Sequence, residues 1–212
     1  MTASIAVLAS GGGTNMQALM DAGRASGGLY QVTRVVSNRS AAGVLDRARR
    51  AGVTATVVKD PADPTELQAA LGDVDLTVLA GYLKLVPAPV VARFRWRMIN
   101  IHPALLPAFG GSGMYGLRVH AAVLASGATT TGATVHYVDE AFDRGPVIAQ
   151  WPVPVRGGDT ADALAGRVLA VEHRLLPAVV TELVRRKFAP GVRLHPGRTA
   201  FDTTDQPTLD LR

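Results

Sequence analysis

Asn100 and His102 are two residues of this 212-residue chain whose types and spacing are suited to chemistry. They lie two positions apart at the end of an apolar segment that we predict to be a β-strand, so both side chains point to the same face. An amide donor beside an imidazole suits a carbonyl group that becomes a tetrahedral oxyanion. A capping asparagine and a structural histidine produce the same short pattern, and the pattern taken alone favours that second interpretation.

Asp143 supplies a carboxylate that could act on this pair. It lies in a glycine-containing segment, residues 139–146, between two stretches rich in β-branched residues. Close to His102, it would raise the pKa of the imidazole, and it could hold a water that carries protons. An aspartate in such a segment more commonly accepts hydrogen bonds within its own turn. We interpret His136, in the first of the β-branched stretches, as a packed strand residue.

The sequence Ser-Gly-Gly-Gly-Thr-Asn at residues 10–15 joins a predicted first strand to a predicted first helix. Glycines there allow the backbone to approach an anion, and the start of the helix adds free N–H groups. The segment lacks both the G-x-G-x-x-G spacing and the lysine of a P-loop, which argues against hydrolysis of a nucleoside triphosphate. An ordinary tight turn with Thr14 as the helix cap is an equally weighted alternative.

Strands and helices that must position these residues alternate over the first 80 residues. We predict strands at 5–9, 32–37, 53–58, 76–80, 98–101, 130–138 and 147–155, and helices at 14–25, 41–51, 65–71, 86–95, 117–126 and 160–188. The predicted fold class is therefore α/β, with a mostly parallel twisted sheet, a Rossmann-like N-terminal half and antiparallel additions in the C-terminal half. Ligands of such sheets lie beyond the carboxyl ends of the strands.

The composition narrows the classes of function. The chain has no cysteine, which excludes disulfides and thiolate metal sites, and its histidines show no fixed metal-ligand spacing, so we expect no metal. The net charge is +5, but the basic residues are scattered and aromatic residues make up only 5%. We therefore expect anionic small molecules rather than nucleic acid as partners. No segment approaches ~20 apolar residues, so we expect no membrane span and a cytoplasmic protein.

Taken together, these segments resemble the folate-dependent formyltransferases. Asn-x-His-Pro-x-Leu-Leu-Pro at residues 100–107 and Asp-x-Gly-Pro at residues 143–146 are similar to the catalytic signature of that superfamily. Within it, residues 10–15 resemble the phosphate loop of the phosphoribosylglycinamide formyltransferase family. Residues 79–86 resemble the folate-side strand and loop of that family, and Glu172 matches a glutamate on its long helix. The resemblance extends from about residue 5 to about residue 188.

The resemblance implies transfer of a formyl group from 10-formyltetrahydrofolate, as cosubstrate, to the amine of glycinamide ribonucleotide in de novo purine biosynthesis. It implies Asn100, His102 and Asp143 as catalytic residues. The acceptor would bind to Gly13, Thr14, Asn15, Met16, Gln17 and Glu172. The folate would bind to Leu83, Lys84, Leu85, Val86, Asn100, Val138, Asp139, Glu140, Ala141 and Phe142.

A single formyltransferase domain is expected at residues 1–188, followed by a tail at 189–212. Residues up to about 100 would bind the acceptor phosphate, and residues from about 101 would hold the folate site and the catalytic residues. A homodimer is compatible with the resemblance. One departure from the family pattern is that residues 59–75 are few and carry no arginine, and Lys59 is a candidate replacement for the ligand-contacting arginine.

Three alternatives are left open. Methionyl-tRNA formyltransferase shares the triad, but its family carries an additional C-terminal domain for which the chain has no room. Formyltetrahydrofolate hydrolase also shares the triad, but its family has an additional N-terminal regulatory domain. A non-enzymatic nucleotide-binding module would retain the glycine segment without needing Asn100, His102 and Asp143 together.

Overall fold

The computed structural model describes residues 1–194 of the chain. Within these residues, seven strands form one sheet in the order β3-β2-β1-β4-β5-β6-β7. The strands are β1 (Ala3–Leu8), β2 (Tyr30–Ser37), β3 (Thr54–Val57), β4 (Leu76–Ala80), β5 (Met98–His102), β6 (Thr130–Tyr137) and β7 (Val147–Pro154). Pairing is parallel from β3 to β5 and antiparallel from β5 to β7. The predicted fold class is confirmed.

Helices cover both faces of the sheet. They are α1 (Thr14–Ala25), α2 (Gly43–Arg50), α3 (Pro64–Leu71), α4 (Ala88–Arg93), α5 (Leu117–Ala125) and α6 (Ala161–Arg185). One apolar cluster joins α1, α2, α5 and α6 to one face, and a second joins α3 and α4 to the other. Because β1 and β4 are covered on both faces, each is an almost continuous apolar run rather than an alternating one.

The order of the strands creates a switch point. From β1 the chain proceeds through β2 to β3 on one side, and then returns to place β4 and β5 on the other side. The loops that leave the carboxyl ends of β1 and β4 therefore run in opposite directions, which opens a crevice between them. Residues 10–15 leave β1 at this crevice.

Most predicted elements agree with the structure, and α1 and β4 have the predicted bounds. Helix α4 is shorter than predicted because it begins only after Pro87 and ends at Arg93. The interpretation of Thr14 as a helix cap is wrong, since Gly13 occupies the cap position with a φ of 78° and α1 has no side-chain cap. Residues 195–212 of the predicted tail lie outside the described residues.

Candidate active site

A cavity of about 670 Å³ lies at the carboxyl ends of β1, β4 and β5. Its wall combines the glycine segment after β1, the loop after β4, the end of β5 and the segment around residues 111–118. Residues 138–143 and one side of α6 complete it. This volume lies in the range of a site for small organic molecules.

The structure brings Asn100, His102 and Asp143 together on the wall of this cavity. Asp143 lies between the other two: its Oδ2 is 3.5 Å from His102 Nδ1, and its Oδ1 accepts from Asn100 Nδ2 at 3.3 Å. The N–H of Gly111 donates to Asp143 Oδ2 at 2.9 Å. The side chains of His102 and Asp143 are only 4% and 10% exposed, so their charges interact with little screening by solvent.

Asp143 adopts a left-handed backbone conformation with a φ of 56°. Aspartate tolerates this region better than most residues do, and such positions concentrate at functional sites. Gly145 explains why the loop is close to the strand, since a Cβ at this glycine would lie 1.8 Å from the carbonyl oxygen of Tyr137. Both residues of the Asp-x-Gly pattern therefore suit this turn. Asp143 tolerates the left-handed backbone conformation, and Gly145 has no Cβ to clash with the strand.

His136 is a site residue that the sequence analysis missed. The antiparallel register of β5 and β6 places it directly opposite Asn100, and its Nε2 lies 3.0 Å from Asn100 Nδ2 and 3.5 Å from Asp143 Oδ1. It is buried in a strand, as expected, but it also faces the cavity. The strand register was needed to find it, because spacing along β6 alone does not say which residue of β5 it meets.

The hydrogen-bond partners assign the ring hydrogens of both histidines. His102 Nε2 lies 2.8 Å from the carbonyl oxygen of Phe109, and a carbonyl can only accept, so Nε2 carries a hydrogen. His136 Nδ1 lies 2.8 Å from the carbonyl oxygen of Tyr137 and carries a hydrogen for the same reason. His136 Nε2 lies 3.0 Å from Asn100 Nδ2 and 3.5 Å from Asp143 Oδ1, so His136 links these two side chains and restricts the orientation of the amide.

Asp143 acts to raise the pKa of His102, as expected, but the net shift is downward. Burial lowers the pKa of His102 below its ordinary value, and Asp143 and the carbonyl of Phe109 offset this only in part. Burial acts to raise the pKa of Asp143, but His136, His102 and the Gly111 N–H together outweigh it and hold that pKa below its usual range. Asp143 is therefore ionised near neutral pH, whereas the imidazole of His102 is mostly neutral.

The start of α1 forms one end of the cavity, where Gly13, Thr14 and Asn15 line its wall. The first intrahelical bond runs from Gln17 to Gly13, so the N–H groups of the preceding turn have no acceptor in the helix. The side chain of Met16 is fully buried in the core, and neither Met16 nor Gln17 lines the cavity. Contacts of these two with a ligand stay predictions.

Glu172 extends from α6 to the same end of the cavity and is 7% exposed. Its Oε2 accepts from Asn15 Nδ2 at 2.7 Å. Burial raises the pKa of Glu172 to about 7, and the bond from Asn15 offsets this only in part. A carboxyl group buried against a cavity is costly unless a ligand hydrogen-bonds to it.

The other end of the cavity is more apolar and contains most residues of the predicted folate site. Leu83, Lys84, Leu85 and Val86 line it from the loop after β4, and Val138, Asp139, Ala141 and Phe142 line it from the loop after β6. Leu85 and Phe142 are 45% and 37% exposed and offer apolar surface to a ligand in the cavity. Glu140 is exposed and does not line the cavity, so its role stays a prediction.

The sequence analysis left open which cation replaces the arginine that residues 59–75 lack. Lys59 does not line the cavity, whereas Arg118 does, so Arg118 is a better candidate for the cation missing from residues 59–75.

Among residues 1–194, no group of three histidine, aspartate or glutamate side chains could hold a metal ion. In the same part of the chain, no helix is both long and apolar enough to cross a membrane.

Comparison with known proteins decides the family. The profile of the family described as "Formyl transferase" matches residues 3–180. The chain belongs to the formyl transferase family. A solved member of this family, phosphoribosylglycinamide formyltransferase from Anaplasma phagocytophilum, superposes with a TM-score of 0.81 at 36% identity, covering 88% of each chain.

Curated members of the formyl transferase family are similar over most of this chain. Phosphoribosylglycinamide formyltransferase from Escherichia coli is 36% identical, over 84% of this chain and 85% of its own length. The chloroplastic enzyme of the same name from Vigna unguiculata is 43% identical over 86% of this chain, but the match spans only 61% of that relative. The chain thus spans about three fifths of the length of the plant relatives it matches. The resemblance to phosphoribosylglycinamide formyltransferases is confirmed.

Proposed function

We propose that the protein transfers a formyl group from 10-formyltetrahydrofolate to the amine of glycinamide ribonucleotide, a step of de novo purine biosynthesis. The observation that carries this proposal is the convergence of Asn100, His102 and Asp143 on a cavity that has two unlike ends. One end has free helix N–H groups and a buried carboxyl, and the other has exposed apolar side chains. A phosphorylated acceptor fits the first end, and a flat aromatic formyl donor fits the apolar end.

The acceptor would bind with its phosphate at the start of α1, where backbone N–H groups and the helix dipole favour an anion. The ribose hydroxyls would bind near Asn15 and Glu172, since a buried carboxyl needs donors of this kind. The folate would pack against Leu85 and Phe142. Under this proposal the two substrates meet beside Asn100, at the boundary between residues 1–100 and 101–188 of the proposed single domain.

The reaction begins when the unprotonated amine attacks the formyl carbon, forming a C–N bond and an alkoxide. Asn100 donates to this alkoxide, and so does His102 after its Nδ1 has taken up a proton from solvent water as the negative charge develops; each such donor can lower the barrier by ~2.7–4 kcal/mol. Asp143 accepts the proton that the amine loses, through a water, and returns a proton to the folate nitrogen as its bond to the formyl carbon breaks. Two N–H donors are sufficient for a single oxyanion, so the proposal includes no metal.

The position of Asn100 adds one step to this mechanism. Its Nδ2 group has two hydrogens, and these point to His136 Nε2 at 3.0 Å and to Asp143 Oδ1 at 3.3 Å. The alkoxide can therefore gain the Asn100 donor only if one bond is exchanged, and the bond to Asp143 is the longer of the two. Exchange would free Asp143 Oδ1 to accept a proton at the stage when the amine must lose one.

An absorbance assay for deformylated folate tests the proposal, with glycinamide ribonucleotide as acceptor in one arm and water alone in the other. Turnover that needs the ribonucleotide is the expected result. Equal turnover in both arms would instead identify a formyltetrahydrofolate hydrolase, and turnover in neither arm would leave a binding module. The proposed partners are small molecules alone, and a homodimer and a cytoplasmic location remain proposals that sedimentation and cell fractionation test.

A further inference from the structure

Three side chains form a row across the C-terminal strands. The register pairs His102 on β5 with Thr134 on β6, and Thr134 with Gln150 on β7. Directly opposed residues of an antiparallel pair share a face, so all three point to the same side of the sheet. His102 lines the cavity, whereas Thr134 and Gln150 do not. The row therefore starts at the catalytic histidine and continues away from the substrates.

Thr134 and Gln150 hold the backbone that follows His102. The hydroxyl of Thr134 donates to the carbonyl of Ala104 at 2.6 Å and accepts from the N–H of Leu106 at 3.1 Å. The amide of Gln150 donates to the same hydroxyl at 3.0 Å and to the carbonyl of Leu106 at 2.8 Å. A hydroxyl has one hydrogen and two lone pairs, so all the bonding capacity of Thr134 is used on this turn and on Gln150.

The segment anchored in this way returns to the catalytic residues a few positions later. The carbonyl of Phe109 accepts from His102 Nε2, and the N–H of Gly111 donates to Asp143. Phe109 has a φ of 55°, a left-handed conformation that a bulky residue adopts only where its surroundings enforce it. The path from Thr134 through this segment therefore ends at the nitrogen of His102 that faces away from Asp143.

We propose that Thr134 and Gln150 are positioning residues that assign the transferable proton of His102 to Nδ1. They do so by holding the Phe109 carbonyl against Nε2, since the partner of one ring nitrogen sets the state of the other. Nδ1 is then the nitrogen that gains and loses a proton, beside Asp143. This inference rests on the proposed function, because it concerns the proton used in formyl transfer.

Other titratable groups also act on His102. Asp143 and His136 face it from the loop after β6 and from β6 itself, and His120 approaches from α5. None of these side chains is removed in the experiment below, so a change in the titration of His102 reports on the segment that carries the Phe109 carbonyl and the Gly111 N–H. Loss of that carbonyl lowers the pKa of His102 further, because the carbonyl stabilises the protonated ring.

Thr131 provides a matched control on the same strand. It is also a buried threonine, but it lies on the opposite face of β6, and its hydroxyl has no hydrogen-bond partner among the described residues. Thr131→Val and Thr134→Val therefore make the same chemical change at similar burial. Only the second removes bonds to the turn after His102.

The experiment measures kinetics and the ¹⁵N spectrum of the histidine rings, with the His102 signals assigned by their loss in His102→Asn. Thr134→Val is expected to lower kcat about ten-fold or more with both KM values nearly unchanged. The His102 ring, in the Nε2–H form in the wild type, should become a mixture of tautomers and titrate at lower pH. Thr134→Ser should restore both properties in large part, and Thr131→Val should change neither.

Gln150→Met keeps the inference testable if Thr134→Val does not fold, because Gln150 is only partly buried. A wild-type tautomer and wild-type kcat in folded Thr134→Val or Gln150→Met would overturn the inference. The same would follow if Thr131→Val gave an equal loss of kcat. Failure of the proposed function is distinguishable, because wild-type protein would then lack ribonucleotide-dependent turnover whatever the spectrum of His102.

Discussion

At the scale of single residues, the chemistry depends on how burial and charge divide protons among neighbouring groups. Asp143 stays ionised because N–H groups and histidines surround it, while burial keeps His102 mostly neutral until charge develops nearby. An alkoxide beside Nδ1 favours the imidazolium far more than an empty site does. Under the proposed function, His102 is thus a donor that becomes charged mainly when the alkoxide forms.

The first prediction concerns this pair. Asp143→Asn and His102→Asn should each lower kcat by roughly two to four orders of magnitude while both KM values change little, since positioned acid–base groups contribute on this scale. The double variant should be only slightly worse than the worse single variant, because the two residues act as a unit. Steady-state kinetics test this, and fully additive losses would show that the residues act independently.

A second prediction concerns Glu172, whose pKa is raised by burial to about 7. The unfolded group ionises near pH 4.5, so between these values the folded state binds more protons, and stability falls as pH rises. Glu172→Gln should therefore stabilise the unliganded protein at pH 8, by up to about 3 kcal/mol, and have little effect at pH 4.5. Thermal unfolding at the two pH values measures this.

The same variant should raise the KM of the acceptor, because the single amide oxygen already accepts from Asn15, whereas the carboxylate has a second oxygen for the ribose hydroxyls. An unchanged acceptor KM would assign Glu172 to a structural role through Asn15 alone. Glu182, near the C-terminal end of α6 and outside the cavity lining, offers a matched control, since Glu182→Gln alters a carboxylate on the same helix that pairs with Arg185 and Arg186.

At the scale of elements, the glycine segment is held by α2 as much as by α1. The N–H of Val44 donates to the carbonyl of Gly11, and Arg47 donates to that of Gly12. A Cβ at Gly13 would lie 2.9 Å from the Cα of Val44, whereas a Cβ at Gly11 or Gly12 meets nothing within 4 Å. Gly13 is therefore required by packing and by its positive φ, while the other two leave room for a ligand.

This distinction gives a third prediction. Gly12→Ala should raise the acceptor KM several-fold, because a methyl group there would occupy space that the phosphate needs, while the melting temperature stays close to that of the wild type. Gly13→Ala should instead lower the melting temperature and impair both substrates. Gly157→Ala, in an exposed loop with equal free space, is the control. Equal acceptor KM values for Gly12→Ala and Gly157→Ala would contradict the placement of the phosphate.

Ser10 connects the two substrate loops and supports a fourth prediction. Its hydroxyl donates to Asn38 at 2.6 Å and accepts from the N–H of Leu83 at 3.0 Å, so it joins the end of β1 to the proposed folate loop. Ser10→Ala leaves the Leu83 N–H unbonded, at a cost of ~1–3 kcal/mol. We expect a higher KM for the folate. Ser126→Ala, which removes a hydroxyl from the end of α5, should leave that KM unchanged.

At the scale of the whole molecule, the cavity concentrates buried titratable groups and so links stability to pH. Burial lowers the pKa values of His102, His120 and His173 below 6.5. Below that pH the unfolded chain binds more protons than the folded one, so acidification from pH 7 to 5 should destabilise the protein through these histidines. Glu172 acts in the opposite direction over the same range, because its folded pKa is raised.

The fifth prediction isolates one of these histidines. His120→Gln should reduce the loss of melting temperature between pH 7 and pH 5, since it removes a group that is buried in the neutral form. Thermal unfolding across this range measures the effect. An unchanged slope would mean that His120 already accepts a proton in the folded protein without cost.

The sequence by itself determined the order and type of the elements, because apolar periodicity and glycine punctuation are local properties of the chain. It also identified the residues to which the proposed chemistry is assigned, since Asn100 and His102 share one strand face and the Asp-x-Gly turn resembles part of a specific signature. It placed the glycine segment between β1 and α1, where the structure has it.

Only the tertiary structure decided which side chains meet. The register of β5, β6 and β7 placed His136 opposite Asn100 and aligned His102 with Thr134 and Gln150, and register depends on contacts between strands distant in sequence. The tertiary structure also decided the direction of the pKa shift at His102. Burial depends on the packed surroundings, and here its effect outweighs that of the Asp143 carboxylate. Local sequence patterns identify the candidate site residues, and the packing around those residues sets their protonation.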